Sequence, residues 1–176
     1  MTDKELIQKV HSGQKEALNL IIGKYYDEIY RFCVYLTGNM TDSYDITQEV
    51  FLKFIRYVDT YRYKNLKGYL LTIARNLCCD YFRQKKDTAP LEDAPESGGE
   101  DTGLAALESG MAFRQALQRL TLEQREVIIL RVYEELKFQE IAKLLGCNLS
   151  TVKSRYRLGI RKLSELLDRN LFEGGY

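Results

Sequence analysis

The chain has 176 residues, 45% hydrophobic and 29% charged, with a formal net charge of +1. This suits one medium domain or two small ones, with enough apolar mass for packed cores. No apolar run is long enough to span a membrane, the polar start MTDKELIQKVHSGQKEAL lacks the apolar stretch of a secretory signal, and four cysteines with one histidine fit no zinc spacing or disulfide framework. The expectation is a cytoplasmic protein with reduced thiols, no cofactor and no membrane insertion.

Outside one acidic segment the apolar residues follow a helical period, and an all-α fold is expected. Over 15–37, Leu18, Ile21, Ile22, Tyr25, Ile29, Phe32, Cys33 and Leu36 form one stripe. Gly38 and Asn39 supply a stop, and Thr41 or Asp42 can cap the next helix. That helix, DITQEVFLKFIR onward, turns Ile46, Val50, Phe51, Phe54, Ile55 and Val58 inward. Its outward residues are Asp45, Gln48, Glu49, Leu52 and Lys53, which taken alone read as a solvated face. An aromatic and basic connector follows, with Arg62, Tyr63, Lys64 and Asn65. A third helix over 66–83 buries Tyr69, Leu70, Ile73, Ala74, Leu77 and Tyr81. Asn76, Asp80 and Arg83 share its other side. Cations beside an aromatic, with an asparagine and an arginine nearby, suit an unstacked base as well as they suit bulk water.

Residues 1–86 carry 14 Lys and Arg against 10 Asp and Glu; residues 87–110 carry seven acids and no base; residues 111–176 carry 12 bases against 8 acids. The middle segment also holds both prolines and four of the twelve glycines. Like charge and low hydrophobicity oppose packing, so a flexible acidic linker between two helical domains is expected.

The second block opens with a helix over 111–120. Thr121 and Gln124 have capping-box spacing for the next. A short helix with Phe138, Ile141, Ala142 and Leu145 inward ends at Gly146. Ser150 can cap a last helix that buries Val152, Tyr156, Ile160, Leu163 and Leu167. Short helix, glycine, tight turn and basic helix are the order of a helix-turn-helix. Residues 150–162 carry five bases and no acid. Lys153, Arg157 and Arg161 fall on one stripe that can reach guanine edges, with Thr151 and Ser154 beside it. Arg155 is better placed for phosphate. Contact with duplex DNA is expected of this helix.

DITQEVFLKFIR, then GYLLTIARNLCCDYFR, then LTLEQREVIILRVYEELKFQEIAKLLGCNLSTVKSRYRLGIRKL together resemble bacterial RNA polymerase sigma factors of the extracytoplasmic-function (ECF) type. The resemblance covers nearly everything except the linker and tails. It implies a sigma region 2 domain over 1–86 and a region 4 domain over 111–176, with no region 3 between them. It implies that Asp45, Gln48, Glu49, Leu52 and Lys53 bind the β′ clamp helices of core polymerase, against the plain reading of that face. It implies that the connector with Arg62, Tyr63, Lys64 and Asn65, and the face with Asn76, Asp80 and Arg83, recognise and melt the −10 promoter element around a flipped base. Region 4 would read the −35 element through Lys153, Ser154 and Arg157 and would touch the β-flap. An anti-sigma partner is implied too. Three positions depart from the family: Tyr69 stands where tryptophan is usual, Lys137 where serine or threonine is common, and Leu158 where an arginine or other polar residue is usual. Two other functions remain open. A stand-alone helix-turn-helix factor would bind duplex without polymerase. An enzyme would need a metal-binding carboxylate cluster or an activated nucleophile, but Asp42 and Asp45 lack a third partner and His11 has none.

Overall fold

The computed structural model describes residues 1–62, 64–88 and 106–173, and every regular element in them is helical. Packing divides the chain into two units, Met1–Val34 with Asn39–Pro95 and Tyr35–Gly38 with Glu96–Tyr176. Among the described residues no helix is long and apolar enough to cross a membrane.

Helix α1 (Asp3–His11) opens on a capping box. Thr2 Oγ1 accepts from the Glu5 amide, and Glu5 accepts from the Thr2 amide at 2.7 Å. It buries Leu6, Ile7 and Val10, and Asp3 ties it to the next helix by accepting from Tyr25 and pairing with Lys24 at 2.6 Å. Helix α2 (Glu16–Thr37) buries Ala17, Ile21, Tyr25, Ile29, Phe32, Cys33 and Leu36. Gly38, in the left-handed region at φ 74°, follows its last residue.

Helix α3 (Met40–Tyr57) starts earlier than Thr41 or Asp42 could cap it. Asn39 is the cap, its side chain accepting from the Asp42 amide at 2.9 Å. The buried face is Ser43, Thr47, Val50, Phe51 and Phe54. Thr47 is tolerated there because its hydroxyl donates to the Ser43 carbonyl at 2.7 Å. Ile55 was expected inward and is 39% exposed instead. A 3₁₀ turn (Val58–Thr60) leads to helix α4 (Leu66–Thr88), which packs along α3. α4 buries Leu66, Leu70, Leu71, Ala74, Cys78 and Cys79. Its core stripe is thus turned slightly from the expected one: Ile73, Leu77 and Tyr81 are only half-buried. Between α3 and α4, Phe54, Tyr61 and Tyr69 form an aromatic cluster, the two tyrosine rings 4.5 Å apart and each set edge-on to Phe54.

The acidic segment expected as a linker over 87–110 has helical ends, since α4 reaches Thr88 and α5 (Ala106–Gln118) begins before residue 111. Residues 89–105 lie outside the described residues. Helix α6 (Leu122–Val132) has the predicted Thr121–Gln124 capping box. Helices α7 (Phe138–Leu145) and α8 (Leu149–Glu173) complete the second unit, with α5, α6 and α7 all packed on α8. Gly159 of α8 lets the backbones close up, because a Cβ there would stand 2.6 Å from Ile128 Cδ1.

α6 buries a residue that its apolar pattern does not announce. Arg125 is 7% exposed and donates to the carbonyls of Leu117 at 2.9 Å, Gln118 at 3.3 Å and Leu120 at 3.1 Å. These include carbonyls that the end of α5 leaves without helical partners. Burial lowers the Arg125 pKa to about 10, so the guanidinium is still charged at neutral pH, at the negative end of the α5 dipole.

Arg125→Met keeps the apolar stem and strips those carbonyls of their donor. It is expected to cost the second unit about 2–4 kcal/mol, read as an earlier urea midpoint. Tyr69→Trp is expected to stay within about 1 kcal/mol of the parent, whereas Tyr69→Ala should cost roughly 2–3 kcal/mol by opening the aromatic cluster, both read by the same titration.

Candidate nucleic-acid interface

In the second unit the apolar contacts aim the charges. α7 ends at Gly146, which adopts φ 68° and ψ 35°, and the amides of Gly146 and Cys147 both donate to the Ala142 carbonyl. α8 follows at Leu149, so Ser150 lies inside its first turn instead of capping it. Phe138 locks the two helices together: its ring meets Tyr156 edge-on at 5.2 Å and carries the Arg131 guanidinium 4.7 Å above it. Arg131 also donates to the Leu136 carbonyl at 3.0 Å, bracing the approach to α7.

Val152, Gly159 and Leu163 face the core, so the opposite side of α8 is exposed. Lys153, Ser154, Arg157 and Arg161 lie on that exposed side, with Thr151 and Arg155 half-buried at its flank. Leu158 is 48% exposed among them. Among the described residues no carboxylate pairs with Lys153, Arg155, Arg157 or Arg161. An unpaired cationic stripe on an outer helix attracts a polyanion and offers hydrogen bonds to base edges.

In the first unit, Arg62, Lys64 and Asn65 are exposed, and Tyr63 lies outside the described residues. Asn65 has a structural task as well, since its side-chain oxygen accepts from the Gly68 amide at 3.1 Å at the start of α4. The connector rests on a fixed base: Tyr61 packs on Tyr69, and His11 Nε2 lies 2.8 Å from the Val58 carbonyl one turn before it. On α4, Asn76 and Arg83 are exposed and Asp80 is half-buried, with Arg83 Nη1 3.4 Å from Asp80 Oδ1. The three share a face at steps of four and three. From Asn65 to Asn76 the helix rises roughly 16 Å, so Asn65 stands well short of the Asn76 face.

The third predicted set lies on α3. Asp45, Gln48 and Leu52 are exposed, while Glu49 and Lys53 are half-buried. The structure extends this face in a way the sequence pattern missed. Gln48 and Leu52 border a shallow groove with Phe51 and Ile55 of α3 and Ile22 and Tyr26 of α2. Tyr26 stacks on Phe51 at 5.8 Å, and its burial raises the phenol pKa while Gln48 hydrogen-bonds to it. Ile22 and Ile55 each fit the core period, which hides a second apolar surface. Acidic Asp45 and Glu49 beside exposed Leu52 make a mixed face suited to protein, unlike the cationic face of α8.

Comparison with known proteins matches both units. Residues 21–88 match the family Sigma-70 region 2, and residues 110–163 match Sigma-70, region 4. The ECF RNA polymerase sigma factor BldN of Streptomyces coelicolor is 31% identical over 93% of this chain, which spans 65% of that relative. The ECF RNA polymerase sigma factor SigW of Bacillus subtilis is 30% identical, over 95% of this chain and 97% of its own length. Among solved structures, the sigma factor RpoE of Bartonella quintana, determined in complex with the anti-sigma factor NepR, superposes with a TM-score of 0.70 at 25% identity, over 85% of this chain and 96% of that one. With both sigma regions present in order and a relative matched along nearly its whole length, this chain belongs to the ECF RNA polymerase sigma factors.

Proposed function

We propose that this sigma factor holds core RNA polymerase with the α3 face and reads promoters with two others. The observation that carries this reading is the acid-free, unpaired stripe of Lys153, Arg157 and Arg161 on the outer side of a helix-turn-helix. Those residues, with Ser154, would meet the −35 element in the major groove, while Thr151 and Arg155 would meet its phosphates. Arg62, Lys64, Asn65, Asn76, Asp80 and Arg83, with Tyr63 beyond the described residues, would hold the unstacked −10 strand, where cations and amides can meet backbone and base. Asp45, Gln48, Glu49, Leu52 and Lys53 would bind the β′ clamp helices, with the second unit also touching the β-flap.

Each DNA face alone offers few contacts and binds weakly. Carried together on one polymerase, they act at high effective concentration on two elements of one promoter. The acidic segment over 87–110 repels DNA phosphates and is drawn to basic walls, and we assign it to the polymerase RNA-exit channel as a nucleic-acid mimic. The work is cytoplasmic, because polymerase is there, and bond-making belongs to the polymerase. An anti-sigma protein would silence the factor by covering the α3 face; a structural relative was solved with an anti-sigma factor bound.

Run-off transcription by core polymerase with and without this chain, on a randomised promoter library, tests the reading. Polymerase-dependent initiation from a selected sequence class is expected; specific duplex binding without polymerase, and no initiation with it, would point to a stand-alone helix-turn-helix factor. On the selected promoter, Arg157→Ala should weaken initiation about ten- to a hundredfold and relax the preference at one upstream position, whereas Arg155→Ala should weaken all sequences alike and lower the salt dependence by about one ion. Leu52→Ala should weaken binding to core about tenfold while leaving isolated duplex binding unchanged, as measured by fluorescence anisotropy.

A further inference from the structure

Asp42 and Tyr81 belong to none of these faces. Asp42 is in the first turn of α3, three residues before Asp45, and Tyr81 directly follows Asp80 on α4. The Tyr81 hydroxyl donates to Asp42 Oδ2 at 2.7 Å. Lys85 Nζ stands 5.3 Å from the centroid of the same ring, and its ammonium also hydrogen-bonds the phenol. Burial, and next the Asp42 bond, raise the phenol pKa, so the group remains a donor at neutral pH.

The position of this bond along α4 matters. The helix buries side chains from Leu66 to Cys79, but beyond Cys79 none is buried among the described residues. Asp80 and Arg83, two of the three proposed promoter contacts on this helix, stand at and past the end of the apolar stripe. A helix end without a core frays, and a frayed end cannot hold a base in one place. The Tyr81–Asp42 bond crosses to α3 at that point. It joins the promoter-facing end of α4 to the helix that carries the polymerase-facing residues.

We propose that the Tyr81–Asp42 hydrogen bond is a strut that holds the promoter-facing end of α4 against α3, making Tyr81 and Asp42 positioning residues for capture of the −10 strand. This rests on the reading of Asn76, Asp80 and Arg83 as promoter contacts, and the experiment separates the two. Holoenzyme is assembled from core polymerase and the full chain. It is titrated with a fluorescent single-stranded oligonucleotide carrying the −10 sequence that wild type selects from a randomised pool, and affinity for core is measured in parallel.

Tyr81→Phe removes only the hydroxyl and should weaken oligonucleotide capture roughly fivefold to tenfold with unchanged affinity for core. Asp42→Leu removes the acceptor and should reproduce that loss, and the double variant should be no weaker than either single one. Asp42→Asn keeps an acceptor oxygen and should restore capture to near the wild-type value. Wild-type capture by Tyr81→Phe, equal loss of core and oligonucleotide binding, additive effects in the double variant, or failure of Asp42→Asn to restore capture would each overturn the strut. If Asn76→Ala and Arg83→Ala weaken capture while Tyr81→Phe does not, the strut fails and the promoter contacts stand. If neither weakens capture, the promoter contacts fail and the strut fails with them.

Discussion

Burial of one apolar stripe sets how each helix is turned about its own axis, and that rotation selects every face the protein presents. One residue along an α-helix turns it by about 100°. Because α4 buries Leu66, Leu70, Leu71, Ala74 and Cys78, it sends Asn76 and Arg83 outward. Because α8 buries Val152 and Leu163 and brings Gly159 close to Ile128, it sends Lys153, Arg157 and Arg161 outward. The contacts that stabilise each unit are therefore also the contacts that aim its charges. Rotating α8 by a single residue would draw cations out of water and toward the core, at a large desolvation cost.

Where apolar stripes end, polar groups take over the joining of helices. Arg125 gathers the carbonyls at the end of α5 with one planar fork, which a lysine's point-like ammonium would match poorly. Phe138 and Arg131 brace α7, whose buried contribution is Ile141. Tyr81 and Asp42 join α4 to α3 beyond Cys79. All three occur where a short or terminal helical segment has too few apolar contacts to hold its direction.

The three outer faces differ in chemistry as their proposed partners do. The α8 stripe is cationic and suits the phosphate field of a duplex, with the strong salt dependence that follows. The connector and α4 mix amide, carboxylate and guanidinium groups, which can discriminate among hydrogen-bonding patterns on an exposed base. The α3 face sets an apolar groove beside acidic residues, as a protein interface sets an apolar centre within a polar rim. With seven acids and no base, the segment over 87–110 competes with none of them for DNA.

From α2 onward, the order and approximate ends of the helices were legible in the chain because apolar period, glycine stops and cap residues are local signals; α1 (Asp3–His11) was not among those expected. Thr121 with Gln124, Gly146, and the exposed stripe of α8 all stand where their spacing put them. Asn39 was read as part of a stop and proved to be the cap of α3, since one residue can serve either end and only the next helix's first turn decides. The outward position of Ile55, its groove with Ile22 and Tyr26, the burial of Arg125 and the bond from Tyr81 to Asp42 were not legible. Each depends on which neighbouring helix stands opposite, at what angle and with which backbone groups left open. The amino-acid sequence determined by itself the helices and the charge each could display. Tertiary packing alone decided which apolar residues stay outside and which polar ones are drawn in, because burial is a property of two surfaces meeting and a period along one chain describes only one of them.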